Sequence, residues 1–274
     1  MTAIHFEHRG RRLVADLADP LPIGIPLDFG GPQPRFHGAP AASSTALRAG
    51  NFLGDTREGG SCNCEQVALV PHCNGTHTEC VGHVTDERIS ITDVLRGGMH
   101  LALLLSVRPV EAGSSGEGSE PAPASGDLMV TAASLAAGLA AHQDLSPAAL
   151  VIRTLPNGAE RMSHQYTGPA PAPFLSREAA EWVVEQKIDH LVLDLPSADR
   201  ADDCGRLTAH RVFFGLPAGS RRASEAKRAH ATLTELAFIA PTLRDGWYLL
   251  DLQIPAFLSD AAPSRPLLYP VRFE

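Results

Sequence analysis

Apolar positions in this chain fall in short blocks rather than in long amphipathic repeats. Leu101–Val110 is almost continuously apolar and predicts a buried strand. Leu150–Leu155, Ile188–Leu195, Leu233–Ile239, Trp247–Gln253 and Leu267–Val271 alternate or run apolar over strand-like lengths. A shorter strand is predicted near Arg12–Leu17, and another at Gln66–Pro71. Helical spacing is clearest over Ser176–Lys187. There Ser176 can cap the first turn, Glu178 suits its positive end, and Trp182 and Val183 fall on the buried face. Ser134–His142 is rich in Ala and Leu and predicts a second helix. Strands outnumber helices, so the pattern points to an α+β or mixed α/β class built on a sizeable sheet.

Pro and Gly interrupt this pattern twice. Residues 1–60 carry Pro20-Leu21-Pro22 and Gly30-Gly31-Pro32-Gln33-Pro34, which predicts a loop-rich N-terminal arm that lines a pocket or wraps a neighbour. Residues 113–126 are Gly, Ser, Pro, Ala and Glu with one Asp-flanking Gly at the end; that composition predicts a mobile surface loop rather than a domain boundary. The 274 residues are expected to form a single domain. A net charge of −8 argues against a nucleic-acid or anionic-membrane partner and leaves a small molecule as the expected ligand. No uncharged run reaches the length of a membrane span, and the first residues lack the apolar core of a secretory signal. Five cysteines, four of them between Cys62 and Cys80, do not read as a disulfide framework; a reduced, cytoplasmic setting is expected.

The chemistry concentrates between Pro71 and His83. His72, His77, His83, Glu79, Cys73 and Cys80 lie within a dozen residues, around Gly75. His77 and Glu79 are two apart, so an extended strand would point both to one side. Imidazole with carboxylate is the donor mix of a catalytic metal site rather than a closed structural zinc knot. Cys62 and Cys64 form Cys-x-Cys, which does not match a dithiol redox motif.

Gly75-Thr76-His77-x-Glu79-x-x-x-His83 resembles the His-x-Gly-Thr-His-x-Asp-x-Pro-x-His signature of the cyclase family, which includes bacterial kynurenine formamidase and isatin hydrolase. Asp194-Leu195-Pro196-Ser197-Ala198-Asp199 resembles the family's Asp-x-x-Ser-x-Asp segment, and His210 and Glu235 fall where the family has a downstream His and Glu. The resemblance implies a swivelling β/β/α fold, a barrel-like and largely antiparallel sheet flanked by helices, in homodimers or homotetramers. It also implies one or two divalent metals, zinc or manganese.

The metal ligands it implies are Cys73, His77, Glu79, His210 and Glu235. His83 or Glu235 is expected to pass the proton to the leaving nitrogen, with binding of a second metal the other reading of His83, while Asp194, Ser197 and Asp199 would orient the ligands. The implied activity is hydrolysis of a formyl-amide or cyclic-amide bond by metal-activated water. Three departures stand out: Glu79 replaces Asp, Val81 replaces Pro, and Cys73 occupies the first His position with His72 one residue earlier. Cys73 keeps the family spacing and would favour zinc; His72 would serve if the loop bulged by one residue. The competing reading is a catalytically silent scaffold that binds a metal or small ligand. A thiol-based enzyme using the clustered cysteines is a third.

Overall fold

The computed structural model describes residues 3–142, 145–167 and 171–274. Eleven strands form one sheet. In chain order they are β1 Ala3–His8, β2 Arg11–Asp16, β3 Leu21–Pro22, β4 His77–Glu79, β5 Met99–Val107, β6 Ala149–Thr154, β7 His190–Leu193, β8 Thr232–Glu235, β9 Gly246–Asp251, β10 Ala261–Pro263 and β11 Leu267–Phe273. In space the order runs β1-β2-β11-β9-β5-β6-β7-β8-β4-β10, with β3 paired to β11.

The centre of this sheet corrects the expected architecture. β5, β6, β7 and β8 run parallel to one another, and antiparallel pairs occupy both flanks. The sheet is therefore mixed, and among the described residues it is open rather than closed into a barrel. Parallel neighbours need a crossover, and helices supply it. They are α2 Ala132–Leu139 between β5 and β6, α3 Arg177–Glu185 between β6 and β7, and α4 Thr208–Phe214 between β7 and β8. The class is mixed α/β.

Both faces of the central strands are buried, which explains their near-continuous apolar sequences. Leu101, Leu103 and Leu105 face one core with Leu150, Ile152, Leu191 and Leu193. That core is closed by Leu135 of α2, Val183 of α3 and Phe213 of α4. The intervening Ala102, Leu104, Ala149, Val151 and Val192 face the second core, closed by Ile23, Ile91, Leu95 and Ile239 from connecting segments. Ser176 caps α3 as its sequence predicts, accepting from the Ala179 N–H at 2.9 Å, and Val183 is fully buried while Trp182 is only partly so.

Several boundaries differ from the apolar pattern. β8 ends at Glu235 rather than Ile239. Leu236 takes a left-handed φ of 53°, and its N–H turns to the Leu195 carbonyl. The strand expected at Gln66–Pro71 is Glu65–Ala68. It pairs with Ser43–Ala46 outside the main sheet and is exposed throughout. The strand expected near Arg12–Leu17 is β2, and with β1 it extends the main sheet through β11. Residues 113–126 lie at the surface as composition suggests, but they are tied to the helices. The Glu117 carboxylate accepts from the Ala132 and Ala133 N–H groups at the start of α2, and from the Ser176 hydroxyl at 2.5 Å. One acidic side chain thus serves two helix starts, a contact that a compositional argument cannot see.

Candidate metal centre

Register brings the first pair of functional side chains together. β4 lies between β8 and β10, with Glu235 directly opposite His77, Leu233 opposite Glu79 and Ala261 opposite Glu79. His77 and Glu79 therefore project from one face, as their spacing of two predicts. Thr78 projects from the other and shares a 2.8 Å hydroxyl contact with Thr234. Thr76 fixes the entry to this strand: its hydroxyl donates to the Leu236 carbonyl and accepts from the Ile25 N–H.

His72 and His83 arrive from the two ends of the motif. Pro71–Asn74 forms a single helical turn, α1, with Pro at its start. His83 closes a 3₁₀ turn at Val81–His83. A side chain at Gly82 would meet the Ile89 carbonyl oxygen at 2.2 Å, so only glycine lets that turn close against its neighbour. His210 comes from α4. Asp199 sets its place by accepting from the Ala209 and His210 N–H groups and from His210 Nδ1 at 2.6 Å. A carboxylate at the first turn of a helix and a carboxylate holding an imidazole tautomer are here the same group.

The resulting cluster is tight. Glu79 is fully buried; its Oε2 lies 2.9 Å from His72 Nδ1 and 4.0 Å from His83 Nε2, and its Oε1 lies 2.9 Å from His210 Nε2. Glu235 Oε2 is 3.5 Å from His77 Nε2, while its Oε1 is 3.6 Å from His210 Nε2 and accepts from the Ala198 N–H. His72 and His83 stack with ring centroids 4.2 Å apart. A further carboxylate, Asp260, sits 2.9 Å from His72 Nε2 and 3.5 Å from His83 Nδ1. Three overlapping triads emerge with donor atoms close enough to share an ion: His72, His77 and Glu79; His72, His83 and Asp260; Glu79, His83 and His210.

The electrostatics follow from this crowding. Burial pushes the Glu79 carboxyl up, but His83 and His210 outweigh it and hold it well below the usual carboxylate range. Burial lowers His72, but Asp260 and Glu79 win and raise it to about 10. Burial likewise lowers His210, and Glu79 and Asp199 drive it well above the usual imidazole range. Hydrogen bonds from His72 and His83 hold Asp260 far down. The cluster is an anionic pocket that demands positive charge.

A divalent cation fits that demand by an independent test. Both Glu79 oxygens, His72 Nδ1, His77 Nε2 and His210 Nε2 are buried and make no well-aligned hydrogen bond among the described residues, although Glu79 stands 2.9 Å from the His72 and His210 rings as an ion pair. Orphaned buried donors and acceptors of this kind are costly unless something else satisfies them. His77 Nδ1 meanwhile sits 2.9 Å from the Gly75 carbonyl, which leaves Nε2 as the ligating atom.

The sequence-predicted residues fare differently. His77, Glu79, His83 and His210 converge, and Glu235 touches two of them. Cys73 stands outside all three triads, and His72 stands in its place. The reason is local. In one helical turn successive residues rotate by about 100°, so His72 and Cys73 cannot face the same direction. Cys73 instead anchors the N-terminal arm, its carbonyl accepting from the Phe36 N–H, and burial with the Glu235 charge pushes its thiol up. Asp194 is not at the centre; it accepts from the Thr154 N–H and hydroxyl and pairs with Arg161. Ser197 accepts from the Asp199 N–H in the turn between them. Cys80, just past the strand, is fully buried in the second core. Asp260 was legible from no motif: it lies 188 residues beyond His72 and reaches it only through the pairing of β10 with β4.

Comparison with known proteins agrees with this geometry. Residues 15–200 match the family described as "Putative cyclase". No curated protein sequence matches. Among solved structures, a predicted metal-dependent hydrolase from Bacillus stearothermophilus aligns over 92% of this chain and 98% of its own, at 16% identity and a TM-score of 0.56. Isatin hydrolase A from Labrenzia aggregata, bound to benzyl benzoate, aligns over 92% and 93%, at 16% identity and 0.57. A novel cyclase aligns over 93% and 88%, at 16% identity and 0.59. At such identities these likenesses establish a shared fold.

Proposed function

The chain belongs to the cyclase family, and from that premise we propose that it is a metal-dependent hydrolase of an amide bond, formyl or cyclic, in a small molecule. The observation that carries this reading is Glu79. Its two fully buried oxygens make no well-aligned hydrogen bond yet lie within 4.0 Å of three imidazoles, an arrangement suited to a cation rather than to a packed core. His77, Glu79 and His72 would hold the ion, with His210 and Glu235 completing the shell. The imidazole-rich donor set suits zinc ahead of manganese even without Cys73. A bound divalent cation would acidify water and polarise a carbonyl oxygen.

The protein's own residues divide the remaining work. Asp199 holds His210 Nδ1, which directs Nε2 toward Glu79. Glu235 is steadied by the Ala198 N–H, so its second oxygen stays aimed at His77. His83 retains 28% side-chain exposure, against 2% for His210, and is the imidazole placed to exchange protons with solvent and a leaving nitrogen. Asp260 accepts from His72 on the far side of the ring and restrains it.

The test is elemental analysis of untagged protein, followed by turnover assays on formyl and cyclic amides before and after chelation. Activity that falls with chelation and returns with zinc is expected. A metal-loaded protein without turnover on either class would favour the silent-scaffold reading, which the departures at Cys73 and Glu79 motivate.

A further inference from the structure

A cavity of about 530 Å³ opens at the carboxyl ends of β5 and β6, apart from the metal cluster. Its size is that of a small-ligand site, and the carboxyl edge of parallel strands is where open α/β sheets place ligands. Aromatic and proline side chains line its walls. The rings of His164 and Tyr166 meet edge to face, with centroids 4.5 Å apart, and Pro156 lies just past the end of β6, after Leu155. Leu128 lines the cavity with 39% of its surface exposed, an apolar side chain that a ligand would cover.

The charges in the cavity are uneven. Arg161 is already committed to Asp194 at 2.9 Å and to Thr154. Arg108 also lines the cavity, is exposed, and enters no ion pair among the described residues. Glu160 lines the cavity too and is exposed. One uncommitted guanidinium beside two aromatic rings and an apolar floor selects a planar group carrying a carboxylate. We propose that this cavity is a second small-molecule site, separate from the metal centre, and that it takes planar aromatic carboxylates.

This proposal goes beyond the hydrolase reading and does not rest on it. Tyr166 links the two regions: its ring meets Phe36 edge to face at 6.3 Å, and the Phe36 N–H donates to the Cys73 carbonyl.

Benzoate is the probe, titrated calorimetrically into the full chain, with inorganic phosphate as comparator. Saturable benzoate binding is expected, weakened about fivefold to tenfold by Arg108→Ala through loss of one charge-assisted contact. Leu128→Glu, which adds a like charge at the wall, should weaken it as well, and Asp260→Asn at the metal centre should leave it unchanged. The proposal is overturned if benzoate does not saturate, if phosphate binds equally well, or if Arg108→Ala has no effect. Loss of benzoate binding in Asp260→Asn would likewise overturn it, because the probe would then be seated in the metal centre.

Discussion

Histidines gather at both ends of the parallel strands, with opposite consequences. Near the carboxyl ends, where β8 finishes in Glu235, His72, His77, His83 and His210 meet Glu79, Glu235 and Asp260. At the amino ends, His100 near the start of β5 and His190 at the start of β7 approach to a centroid separation of 3.8 Å. No carboxylate stands within ion-pair distance of either ring among the described residues. Asp189 is taken by His230 and Arg228, and His190 Nδ1 meets only the Thr232 hydroxyl. At the first cluster, carboxylates overcome burial and raise His72 to about 10. At the second, burial prevails and His190 is pushed down to about 4, with the neighbouring His100 adding to the shift. Clustering alone does not make a cation site; the carboxylates between the rings do.

The contrast breaks most severely at His77. His77→Ala is expected to leave protein without bound metal after dialysis and to reduce hydrolysis to background. Full metal content with full turnover in that variant would remove the basis of the assignment. Asp260→Asn is the next test. Asp260 touches His72 from the side opposite Glu79, so its loss should weaken metal affinity roughly 10–100-fold, the range for partners that orient a ligating imidazole. Competition against a chelator of known affinity would measure it, and an unchanged affinity would mean that Asp260 contributes nothing to the centre.

The amino-end pair predicts an acid weakness of its own. His190 has a folded pKa of about 4 against an ordinary 6.5. Between those values the unfolded chain binds more protons, so stability present above pH 6.5 is lost as pH falls toward 4, and no more is lost from this group below that. With discount for partial solvent screening, the loss is on the order of 2 kcal/mol. Denaturant melts of wild type and His190→Gln across that window should diverge, the variant showing the flatter profile. Parallel profiles would show that the pair does not titrate as its burial demands.

Cys73→Ala should have the smallest effect. With the thiol outside the cluster, metal affinity should change less than about twofold, since a non-ligand contributes no bond. A large drop in zinc retention would restore the thiolate to the shell and displace His72.

The split between foreseen and unforeseen features follows from the range of the interactions. The spacing of His77 and Glu79 is a local property of an extended strand and could be read directly. So could the cap at Ser176 and the strand character of β5, β6 and β7, because capping and apolar runs of strand length are set by neighbours close in the chain. The placement of His72 within two of the triads and of Cys73 outside all of them turned on whether four residues coil or extend, where α1 packs against β10. The pinning of residues 113–126 turned on one carboxylate, Glu117, finding two helix starts distant in sequence.

The sequence by itself determined that this chain builds a large sheet with helices, places it in a recognisable family through Gly75–His83, and marks His77 and Glu79 as a pair on one strand face. Only the tertiary structure decided the rest. The parallel centre of the sheet, Glu235 opposite His77, Asp199 behind His210 and Asp260 beside His72 depend on register between strands and on crossover helices. Those contacts join residues far apart in the chain, and no local propensity encodes which distant carboxylate will meet which imidazole.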